Sequence, residues 1–140
     1  MRTALVWLAI AVVSPSWAAE KLVLVEHPVG ETPIDMPPKG DSVGDMVVVA
    51  NPVFDADNRT QVGRDQGYCV RTVIGKQYEC VWTLVLQFGQ ITVEGPVSDS
   101  GESTLAVTGG TGKYVGAKGS LRIRPRDAEQ SAYIFLYDLL

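Results

Sequence analysis

The chain has 140 residues, is 46% hydrophobic and carries a formal net charge of −4. That length allows one domain with a sizeable core. The acidic balance and the dispersed basic residues exclude the broad basic surface that a nucleic-acid partner needs.

Met1 to Ala18 opens with one positive charge, Arg2, followed by an apolar stretch from Ala4 to Val13. Ser14-Pro15-Ser16-Trp17-Ala18 then puts small residues where a signal peptidase would read them. The segment reads as a secretory signal peptide, too short to span a bilayer comfortably. An uncleaved anchor is the competing reading. Cleavage leaves 19–140 as one domain, secreted or periplasmic. Beyond the leader no run is long and apolar enough for a membrane span.

Helical periodicity is almost absent from the remaining chain. Short runs rich in Val, Thr, Ile and Tyr alternate with Gly, Pro, Asp and Asn, the pattern of β-strands between turns. The first strand is expected over Lys21–Glu26, and the four-proline stretch Pro28–Gly40 reads as a loop. Asp45–Asn51 follows, ended by Pro52, then a polar turn over Phe54–Thr60. Gln61–Val73 is a long strand with a kink expected at Gly67. Gln77–Phe88 and Ile91–Glu94 flank a tight Gly89-Gln90 turn, and Pro96 ends the second of them. Ser103–Thr108 follows an Asp99-Ser100-Gly101 turn. The last two strands are Gly119–Arg124 and Ala132–Leu139. Arg122, Arg124 and Arg126 alternate, which places them on one solvated strand face.

Eight strands with short connections imply antiparallel pairing. They suit a closed all-β barrel, which has no exposed edge and can hold one small ligand inside. A two-sheet sandwich is the alternative.

The segment Gly109-Gly110-Thr111-Gly112-Lys113 invites comparison with phosphate-binding loops and matches none. Val107 and Tyr114 occupy places where a P-loop needs glycine and a hydroxyl residue, and Val115 interrupts the dinucleotide pattern. The glycines are therefore expected to end a strand in a turn, with one short helical turn over Lys113–Lys118 closing a barrel end. No cofactor is called for. Two cysteines and one histidine are too few for a closed zinc site, so no metal is expected.

Cys69 and Cys80 flank Ile74-Gly75 symmetrically. A hairpin there sets them opposite one another, within disulfide reach. Two buried thiols, or one thiol lining a pocket, are the alternatives. Glu26 and His27 are adjacent, so only one of them can face a barrel interior. A carboxyl inside would have its pKa raised and could serve as general acid or base. His27, just before Pro28, is the one expected to point outward. Asn58-Arg59-Thr60 is a glycosylation sequon, meaningful only in a eukaryotic secretory pathway.

Several segments in fixed order carry a resemblance: Gly44-Asp45-Met46-Val47 leading to Asn51, then Gly67-Tyr68-Cys69-Val70, Val93-Glu94-Gly95-Pro96, and Leu105 to Gly112 with Gly116-Ala117 beyond. From Gly44 to Leu140 the chain resembles the allene oxide cyclases of plants, and its glycine-rich segment is similar to that of the dirigent proteins. The resemblance implies an eight-stranded antiparallel barrel with a hydrophobic cavity, assembled as a homotrimer. It implies that Asn51 is a water-holding asparagine and that Cys69 and Tyr78 line the cavity. Val49 and Val97 stand where that family carries Phe and Tyr. These departures thin the aromatic wall that steadies a developing cation, which argues against the plant reaction itself.

Three functions follow. One is a barrel that steers cyclisation or coupling of a small apolar molecule, an isomerase-like role with Glu26 and Asn51 as the polar anchors. The second is a carrier of a lipophilic ligand that it leaves unchanged. The third is a structural or surface-interaction barrel filled by Tyr78, Trp82, Leu84, Leu86 and Phe88.

Overall fold

The computed structural model describes residues 19–140. The expected signal peptide lies outside the described residues. The strands are β1 (Glu20–Glu26), β2 (Glu31–Ile34), β3 (Met46–Phe54), β4 (Gln61–Val73), β5 (Gln77–Leu86), β6 (Gly89–Ser98), β7 (Ser103–Gly112), β8 (Gly119–Pro125) and β9 (Tyr133–Leu139). All neighbours pair antiparallel, in the order β1-β9-β8-β7-β6-β5-β4-β3-β2.

Closure comes from β1 and β2 sharing the free edge of β3. Glu31 to Ile34 pair with Val49 to Met46, while Val25 and Glu26 pair with Phe54 and Val53. β1 and β2 thus act as two halves of one broken stave, and the result is a closed eight-stranded barrel. β2 lies inside Pro28–Gly40, the stretch expected as loop. Four prolines hide it, yet Pro33 is harmless because β2 pairs on one side only, and its other edge needs no donor.

The same argument explains two strands that run past their expected ends. β3 continues through Pro52, which sits in the gap between β1 and β2, where no partner asks for an N–H. β6 continues through Pro96, beyond the last β6–β7 pair at Glu94 and Ala106. β7 likewise runs to Gly112, because Gly109 to Gly112 still pair with Thr92 to Gly89. Gly110 is there for close approach: a Cβ would lie 2.3 Å from the Tyr114 carbonyl oxygen and 2.6 Å from that of Gln90. No helical turn follows. Backbone bonds from Tyr114 N to Thr111 O and from Ala117 N to Tyr114 O make successive turns instead. They tuck Tyr114 and Ala117 into the core as the plug of that end.

Alternation is clearest in β5 to β9, while β1 ends with Leu24, Val25 and Glu26 all buried. Leu84, Ile91, Val93, Leu105, Leu121 and Tyr137 fill the half of the barrel nearest this plug. Arg122, Arg124 and Arg126 all lie exposed outside. Cys69 and Cys80 are directly opposed in the β4–β5 ladder and form a disulfide. Gly67 does not kink β4: it pairs in register with Trp82, and the irregularity falls between Arg71 and Val73.

The disulfide closes a short loop, so its expected contribution is about 2–4 kcal/mol. Replacing both cysteines by serine should lower the urea midpoint accordingly and leave the far-ultraviolet circular dichroism of the folded barrel unchanged.

Candidate functional site

The half of the barrel away from the Tyr114 plug is not filled. It holds a cavity of about 140 Å³. Its apolar wall comes from Val49 on β3, Cys69 and Cys80 on β4 and β5, Trp82, Val97 on β6, Ile123 on β8 and Phe135 on β9. Trp82 and Phe135 stack with centroids 5.9 Å apart. Gly67 makes room for this, since a Cβ there would lie 2.6 Å from both Cα and Cβ of Trp82. The β6–β7 turn, Ser98 to Gly101, and the side chains of Gln130 and Tyr133 border the mouth.

Three carboxyl groups and one amide supply most of the polar character. Glu26 ends β1, Glu31 begins β2, Asn51 lies on β3 at the gap between them, and Asp65 faces inward from β4. Glu26, Asn51 and Asp65 are 4%, 2% and 3% exposed, while Glu31 is exposed at the mouth. Asn51 uses every hydrogen-bonding group that faces this cluster. Its Nδ2 donates to Glu26 Oε1. Its Oδ1 accepts from the Gly30 amide at 2.8 Å, which fixes which way the amide points. Its backbone N–H donates to Asp65 Oδ1 at 3.2 Å.

Neither buried carboxyl has a cationic partner among the described residues. Burial pushes Glu26 up from an ordinary 4.5 to about 8, assisted by the charge of Asp65 and opposed by the Asn51 amide. Burial also pushes Asp65 up from 3.8 to about 7, against the backbone donor of Asn51. Glu31 is raised by partial desolvation, again opposed by Asn51. Tyr133, paired with Glu26 across the β1–β9 ladder, is raised by burial and then by the charges of Glu26 and Glu31. Near neutral pH the site therefore holds a proton that two carboxyls can exchange with a bound molecule.

Residues 28–136 match the family described as the allene oxide cyclase barrel like domain. The chain belongs to this family. Among solved structures, this allene oxide cyclase-like barrel is similar to a pyocyanin demethylase, with 26% identity, a TM-score of 0.75, and coverage of 85% of this chain and 99% of that one. It also shares its fold with the pterocarpan synthase dirigent protein PsPTS1, at 16% identity and a TM-score of 0.72, covering 87% of this chain and 93% of that one. A third is AbnU, described as an exo-specific intermolecular Diels-Alderase, at 15% identity and a TM-score of 0.67, covering 88% and 98%.

Within this barrel, Glu26, Asn51, Val49, Cys69 and Val97 all border the cavity. Tyr78 does not. Its ring lies under the buried Arg71 guanidinium, 3.7 Å from centroid to Cζ, and its hydroxyl accepts from Arg71 Nη2 at 2.8 Å. Arg71 also pairs with Asp41 at 2.7 Å and Asp99 at 2.6 Å, tying two mouth loops together. His27 points away from the cavity, bonded through Nε2 to Asn58 Oδ1 at 2.8 Å and edge-on to Phe54. Phe88 is exposed at a turn. Sequence reasoning missed Asp65 and Glu31. For Asp65 the signal was present: it is four residues before Cys69 on one strand, so strand parity puts both on the same face.

A carboxyl with a raised folded-state pKa binds its proton more tightly folded than unfolded, so the unfolded chain ionises first. The stability these two groups contribute is complete below about pH 4. It is lost as pH rises through about 7 for Asp65 and about 8 for Glu26, at up to about 1.4 kcal/mol per pH unit for each group. Asp45, Asp55 and Asp127 have lowered pKa values and act only at more acid pH. Urea unfolding across this range should show the decline, and Glu26→Gln with Asp65→Asn should flatten it.

Proposed function

We propose that this protein is an exported cavity enzyme that binds a small, mostly apolar ring compound and steers its rearrangement or coupling by proton transfer. The observation that carries the reading is the pair of buried carboxyls, Glu26 and Asp65, joined through Asn51 in an otherwise apolar cavity. Unpaired buried carboxyls are costly to keep, and a barrel that only stored a lipophilic ligand would have no use for them.

The size and charge of the cavity narrow the ligand. A cavity of about 140 Å³ is close to the roughly 150 Å³ that holds a benzene ring, so one ring enters and larger parts remain at the mouth. Among the described residues no Lys, Arg or His borders it, while four carboxyls do: Glu26, Glu31, Asp65 and, at the mouth, the Arg71-paired Asp99. A fatty carboxylate is disfavoured on both counts. The similarity to a pyocyanin demethylase, and the shared fold with a dirigent protein and a Diels-Alderase, support chemistry on ring systems.

Glu26 and Asp65 are both raised by burial and lie on one Asn51 link, so an interval near neutral pH has one proton held by the pair. In that state the ionised carboxyl accepts a proton from the bound molecule and the protonated one donates to it, while Asn51 orients both. The Trp82–Phe135 stack gives the bound ring an apolar wall. Export is supported by the Cys69–Cys80 disulfide, which suits an oxidising compartment.

Native mass spectrometry of protein from its own source should reveal a small ring compound, with pyocyanin the first added substrate to try. On the compound so found, Glu26→Gln and Asp65→Asn should each lower kcat by about 10²–10⁴-fold and change the dissociation constant only several-fold. The pH profile of kcat/KM should be a bell, falling below about 7 and above about 8. Unaltered turnover in both variants, or a long-chain carboxylate as occupant, overturns the reading.

A further inference from the structure

The carboxyls of the cavity outnumber what proton transfer alone requires. Glu26 from β1, Glu31 from β2 and Asp65 from β4 converge on one space, and the β9 hydroxyl beside them, Tyr133, is engaged with Gln130 at 2.8 Å. Glu26 and Asp65 are each more than nine-tenths buried. The buried guanidinium of Arg71 is engaged by Asp41, by Asp99 at the cavity mouth and by Tyr78. No strand of the cavity wall brings a positive group to balance them, since β5, β6 and β8 contribute Cys80, Trp82, Val97, Ile123 and Pro125. The three carboxyls are not grouped so as to hold a metal ion. The stacked rings of Trp82 and Phe135 instead offer an aromatic face, which attracts a diffuse organic cation.

We infer that the cavity is selective for ring compounds carrying delocalised positive charge, with the carboxyls of Glu26, Glu31 and Asp65 as the missing counter-charge. The inference rests on the cavity being a ligand site and adds the charge of its ligand. A neutral ring supplies no counter-charge, so the buried Glu26 and Asp65 keep their protons in its presence. A cation lets them ionise together, so its entry drives protons out of the site. The bound cation and the departing protons exchange one positive charge for another, which makes affinity rise with pH.

Three small probes of similar shape test this on the full chain: N-methylpyridinium, its neutral isostere toluene, and benzoate. Binding is followed by protein amide and indole resonances in ¹⁵N spectra, and proton release by calorimetry in buffers of different ionisation enthalpy. N-methylpyridinium should bind at least about tenfold more tightly than toluene, as one recovered charge contact allows, and benzoate should not bind. Cation affinity should rise between about pH 6 and about pH 8, with protons released. Glu26→Gln combined with Asp65→Asn should abolish the cation preference and the proton release on cation binding. Toluene binding as well as the cation, or a cation preference that survives in the double variant, overturns the inference while the cavity remains a ligand site. Failure of all three probes to bind overturns both.

Discussion

Asn51 holds the seam of the barrel. It lies on β3 where β1 and β2 leave a gap, and it reaches across that gap in two directions. Its side-chain oxygen takes the Gly30 amide at the start of β2, and its amide nitrogen reaches Glu26 at the end of β1. Its own backbone N–H engages Asp65 on β4. One residue therefore bridges the gap in the seam that β1 and β2 close by pairing with β3, and it fixes both buried carboxyls. Closure and chemistry cannot be separated here, because the broken stave that opens the wall also admits the polar groups.

The barrel tolerates this polar seam because other parts of it are strongly determined. The lower half is a dense apolar core sealed by Tyr114. The Cys69–Cys80 bond clamps the hairpin that carries Asp65 and Trp82. Arg71 binds the loops around the mouth through Asp41 and Asp99. Buried acids without counter-charges work against folding, and they survive where surrounding structure holds them in place. Their location inside a ring-sized cavity connects that cost to the handling of a bound molecule.

Much of the barrel was legible in strand periodicity. Most strand centres follow from alternation, and the facing cysteines follow from the hairpin between them. The adjacency of Glu26 and His27 required one to face in and one out, and the structure puts Glu26 inside. The differences at strand boundaries share one cause. Proline and glycine read locally as punctuation, while β2, Pro52, Pro96 and Gly109 to Gly112 are governed by whether a neighbouring strand needs a donor or leaves room for a Cβ. Tyr78 was assigned to the cavity on resemblance. Arg71 claims its ring instead, a contact that no single strand encodes.

The chain by itself determined an antiparallel barrel with a carboxyl and an amide as polar candidates, because alternation and turn chemistry are local properties. Only the tertiary structure decided that Asp65 joins Glu26 and that Asn51 links them. It also decided that, among the described residues, no Lys, Arg or His lines the cavity. These depend on register and on the break between β1 and β2, which bring residues from separate strands to one point. Burial at that point then sets their proton affinity, and burial is a property of the closed barrel rather than of any segment within it.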